Sequence, residues 1–114
     1  MKKISISLLF FLCLNLWAQQ KITQTQKHGI CSGYHKFWWT YKHTVKQYND
    51  SDFSKEIWQN IDANFKGNAE YNEASTRTLT IINQAIQNKN YIVVKQFAGF
   101  CHELGIPIGQ DLRQ

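Results

Sequence analysis

The sequence predicts an all-α protein, a small bundle of about four helices closed by one disulfide. Three observations carry that expectation. Apolar residues recur at steps of three and four in successive segments, and short polar runs separate those segments. Once an N-terminal leader is set aside, two cysteines remain, one near each end of the folded region. The 114 residues are 43% hydrophobic and 14% aromatic with a single proline, which suits one small domain and is too apolar for a disordered chain.

The leader comes first. Met1-Lys2-Lys3 is a positive start, Ile4 to Leu16 is almost wholly apolar, and Ala18 is a small residue before the polar Gln19-Gln20-Lys21. That is the layout of a secretory signal peptide over residues 1–18, cleaved near Ala18. The apolar run is about 13 residues, short of the roughly 20 that a membrane-spanning helix needs. Cys13 follows Leu12, where a lipid-attachment site would have a small residue, so lipidation is not expected. The expected location is therefore periplasmic or secreted. Removing Lys2 and Lys3 leaves 11 basic and 8 acidic residues, a net charge of +3. So mild a charge, not gathered in runs, argues against nucleic acid as a partner and allows at most peripheral membrane contact.

Residues 19–30 are polar without a period and read as an arm. The domain proper is expected over 31–105, with 106–114 as a tail. From Gly33, the residues Tyr34, Phe37, Trp38, Tyr41, Val45 and Tyr48 step by three and four, which predicts a helix broken at Asn49-Asp50-Ser51. Ser51 or Asp52 is placed to cap a second helix over 52–66, in which Phe53, Ile57, Ile61 and Phe65 share a face and Gly67 follows the end. A third opens near Asn68 or Ala69 with Glu70 and Glu73 favourable to the helix dipole, and buries Tyr71, Ala74, Thr78, Ile81, Ile82, Ala85 and Ile86. Asn90 is placed to cap a fourth, in which Val93 or Val94, Phe97, Phe100, Cys101 and Leu104 again step helically up to Gly105.

Cys31 and Cys101 form an even pair in an oxidising compartment, where a disulfide is expected. It would join the two ends of the domain across about 70 residues, worth about 4 kcal/mol in the chain-entropy account. The alternative is a metal site built from His28, Cys31, His35 and Cys101, with His102 beside it, since the first three stand at spacings of three and four. The pattern lacks a C-x-x-C pair, and a disulfide would remove both thiolates from the donor set. No metal and no other cofactor is expected.

Motifs for catalysis are absent. There is no Gly-rich phosphate loop and no C-x-x-C-H haem attachment motif. No histidine stands with an activated nucleophile and an orienting acid. The carboxylates Asp52, Glu56, Asp62, Glu70 and Glu73 match polar helix faces better than a glycosidase pair. The chain is expected not to be an enzyme, and a small wall-acting hydrolase is the least favoured alternative.

What stands out is the first helix. Trp38 and Trp39 are adjacent, hence about 100° apart on a helix, and cannot both enter one core. With Trp38 inside, Trp39 would share a face with His35, Lys42, His43 and Lys46, an aromatic and basic composition suited to a protein interface. The competing reading places Trp39 over the edge of the bundle, with the lysines merely solvating it. The expected function is thus a non-catalytic binder of a protein partner in the cell envelope, inhibitor-like or immunity-like. The alternative is a metal-binding envelope protein.

Overall fold

The computed structural model describes residues 22–109. The expected signal peptide, with Cys13, lies outside the described residues, as do the first residues of the expected arm and the last of the expected tail. Within 22–109 the chain forms four helices and no strand: α1 Gln24–Thr44, α2 Tyr48–Ala63, α3 Ala69–Gln87 and α4 Tyr91–Glu103. The all-α bundle is as expected, and Cys31 and Cys101 form its disulfide, with Cα atoms 5.5 Å apart.

The first helix starts earlier than expected. Residues 24–30, assigned above to a polar arm, are helical. The cause is a capping box. Thr23 Oγ1 accepts a hydrogen bond from the Gln26 N–H at 3.1 Å, and Gln26 Oε1 accepts one from the Thr23 N–H at 3.0 Å. Gly29 and Gly33 are inside α1 for a packing reason. A Cβ on Gly29 would meet the Tyr71 carbonyl oxygen at 2.5 Å and the Ala74 Cβ at 2.9 Å, and one on Gly33 would collide with the Ser75 carbonyl oxygen. Two glycines on one helical face thus let α1 and α3 approach backbone to backbone.

The break after α1 is also displaced. Asn49, Asp50 and Ser51 lie within α2, and the turn is made by Lys46, whose φ of 65° is left-handed. Its N–H donates to the His43 carbonyl at 3.1 Å and the Gln47 N–H donates to the Lys42 carbonyl at 2.8 Å, the two bonds of a Schellman ending. Lys89, with φ 57°, repeats the arrangement after α3, where the Asn90 N–H reaches the Ala85 carbonyl at 2.8 Å. Gly105 does the same after α4. At the other ends, Asn68 caps α3 through its side chain, whereas Gln47 before α2 and Asn90 before α4, the latter expected as a cap, make no side-chain cap bond. Ser51, expected as a cap, is buried in α2 and donates to the Trp39 carbonyl at 2.9 Å.

α1 is the central helix, packed extensively on α2 and α3 and touching α4 as well. The core joins Ile30, Tyr34 and Phe37 of α1 to Tyr71, Ile82 and Ala85 of α3 and to Val93, Val94 and Phe97 of α4, around the fully buried disulfide. Val45 and Tyr48, expected in the α1 stripe, are exposed because the helix has ended by Thr44.

Candidate functional site

The residues first singled out do not form one exposed face. His35 is 1% exposed. Its Nε2–H donates to the Pro107 carbonyl at 2.8 Å, and its Nδ1 faces the Ser54 hydroxyl at 3.4 Å, so the ring ties the post-α4 segment to α1 and α2. Burial pushes its pKa down from 6.5 to about 4, against the opposing effect of the Pro107 bond, and the ring is neutral near pH 7. Lys42 is also buried, at 7% exposed. Its ammonium donates to Gln47 Oε1 at 2.7 Å, lies 3.9 Å from Asp50 Oδ2, and sits 5.4 Å from the centre of the Trp38 ring. His43 and Lys46 are exposed, His43 against Tyr48 with ring centres 5.2 Å apart and Lys46 in the turn after α1.

Trp38 and Trp39 divide as their 100° separation requires, but both are half-buried. Trp38 packs among Tyr34, Phe37 and Tyr41. Trp39 faces α2 and meets Trp58 at 5.1 Å, with the Lys36 ammonium 5.3 Å from the Trp58 ring on the same side. Trp39 therefore covers the seam between α1 and α2.

The alternative metal donors are dispersed. Cys31 and Cys101 are joined to each other, His28 is bonded through Nδ1 to the Gln24 carbonyl at 2.7 Å and packs on Phe65, and His35 is engaged as above. Among the described residues no three His, Cys, Asp or Glu side chains are grouped to hold a metal ion. Of the carboxylates, Asp62 accepts hydrogen bonds from Tyr71 and from Ser32, the latter at 2.9 Å, and pairs with Lys36 at 3.2 Å. Burial, reinforced by the bond to Asp62, raises the Tyr71 phenol pKa well above its ordinary value. This network ties α1, α2 and α3 together. Glu70 accepts from the Thr23 hydroxyl and Glu73 pairs with Arg77 at 2.8 Å.

A different site emerges where the C-terminal half of α1 meets the end of α3 and the start of α4. There a groove of about 450 Å³ is lined by Phe37, Trp38, Tyr41, Lys42, Val45 and Gln47 on one side and by Ile86, Tyr91, Val94 and Lys95 on the other. Six large hydrophobic residues are exposed among those described, and three of them, Tyr41, Val45 and Tyr91, belong to this groove. The lining holds four aromatic rings, two lysines and no acid. Such a surface can grip an apolar group and offer cations beside it. Of the interface residues expected from sequence, only Lys42 belongs to it. Tyr91 and Lys95 were missed, although Tyr91-Ile92 adds apolar residues beyond what one buried stripe of α4 can use.

Comparison with protein-family models, with characterised proteins and with solved structures finds no match.

Proposed function

We propose that this protein is a small, non-catalytic binding module of the cell envelope, acting like an inhibitor or immunity protein, and that its partner docks in the groove between α1 and α4. One observation carries the reading: Tyr41, Val45 and Tyr91 are exposed together on a single groove. Scattered surface hydrophobics need no explanation, whereas apolar groups gathered with polar ones around a concavity mark interaction sites. The disulfide supports placement in an oxidising compartment, and the signal-like leader agrees with it.

The test is a photo-crosslinking residue placed at position 91, expressed in the protein's own host. A protein cross-linked there, and lost when Tyr41→Ser/Val45→Ser is added with an unchanged melting temperature, supports the reading. Cross-links obtained from position 39 but not from position 91 would move the interface to the α1–α2 seam.

A further inference from the structure

We infer that the groove recognises an acidic peptide segment, in which a bulky apolar side chain is flanked by carboxylates. This rests on the protein-docking reading above and specifies the partner's chemistry. The apolar half of the recognition comes from Phe37, Trp38, Tyr41, Val45, Ile86, Tyr91 and Val94, and its volume of about 450 Å³ suits a few side chains.

The charge comes from three sources at one place. Lys42 and Lys95 both line the groove, and the lining has no acid. The Lys42 ammonium stands 3.9 Å from the Asp50 carboxylate, which is largely exposed. Lys95 is exposed, with no acidic partner among the described residues. The third source is the start of α4. Asn90 gives it no side-chain cap and its first turn carries no acidic residue, so no side chain of α4 itself offsets the positive end of its dipole beside Tyr91. The ends of α1 and α3 also reach this region, where the turn N–H groups of Gln47 and Asn90 occupy the Lys42 and Ala85 carbonyls. An apolar peptide with carboxylates matches each of these groups. A second copy of the chain does not, since a symmetric contact would set lysines against lysines.

The experiment is a calorimetric titration of the oxidised protein at low ionic strength with a peptide of about ten residues that carries Leu and Phe between glutamates. Versions with Gln or Lys in place of Glu, and dodecanoate as a lipid-like anion, serve as comparisons. The Glu peptide is expected to bind about tenfold more tightly than the Gln peptide, as loss of a charge-assisted contact predicts. Lys95→Glu, an exposed substitution, is expected to erase that preference and turn it toward the Lys peptide. Equal binding of the Glu and Gln peptides would overturn the acidic preference while leaving docking in the groove intact. Binding of dodecanoate with no binding of any peptide would overturn both.

Discussion

Gly29 lies so close to Tyr71 that a Cβ at position 29 would stand 2.5 Å from the Tyr71 carbonyl oxygen. The obstacle is backbone, which cannot swing aside as a side chain can. Helix propensity alone would make Gly29→Ala favourable by about 1 kcal/mol. Overpacking is expected to win. Gly29→Ala and Gly33→Ala should each lower stability by a net of about 1–3 kcal/mol in urea denaturation.

The opposite substitution is expected to help at two turns. Lys46 and Lys89 hold left-handed conformations that cost a residue with a Cβ roughly 1–2 kcal/mol. Part of what glycine recovers is offset by the greater freedom it gives the unfolded chain. Lys46→Gly and Lys89→Gly should therefore each raise stability by up to about 1 kcal/mol, with no change in the helical circular dichroism spectrum.

His35 makes stability depend on pH. Its folded-state pKa of about 4 lies below the unfolded value of 6.5, so the unfolded chain binds the extra proton more readily. The contribution is fully present above pH 6.5 and is lost progressively as pH falls toward 4. Across that window the loss is about 3 kcal/mol. Denaturation midpoints recorded from pH 7 to pH 4 should show it, and a His35→Gln variant should lose most of this slope.

The disulfide should contribute strongly without determining the fold. Cys31→Ser/Cys101→Ser is expected to lose about 4 kcal/mol, since it frees a loop of 70 residues in the unfolded state. Its far-ultraviolet spectrum at low temperature should remain helical, because the buried stripes of the four helices are untouched.

Much of the fold was legible because each helix writes its own period into the chain. Tyr34 and Phe37, Tyr71 and Ala74, and Val93 and Phe97 are buried where their spacing put them. The start of α1 was hidden because residues 19–30 carry no apolar period, and Gly29, whose missing side chain serves contact with α3, adds none. The Thr23 and Gln26 pair was the local signal for the true start. The end of α1 was unreadable for another reason, since a left-handed lysine leaves no mark in composition. The groove was legible only on its α1 side. Lys42 could be picked out beside the tryptophans, but Tyr91 and Lys95 reach it through the tertiary path of the chain. His35 illustrates the same limit, because its partner Pro107 lies beyond the fourth helix.

The Cys31–Cys101 link also governs how the protein responds to proteolysis. The three turns between the helices, at 45–47, 64–68 and 88–90, all fall between the two bridged residues. Turns are where proteases cut. A single cleavage in any of them would leave both pieces in one covalent molecule, with the fragments still held side by side. Clipped protein would therefore migrate as a single band until a reductant is added, and would keep the effective concentration needed to reassemble its core.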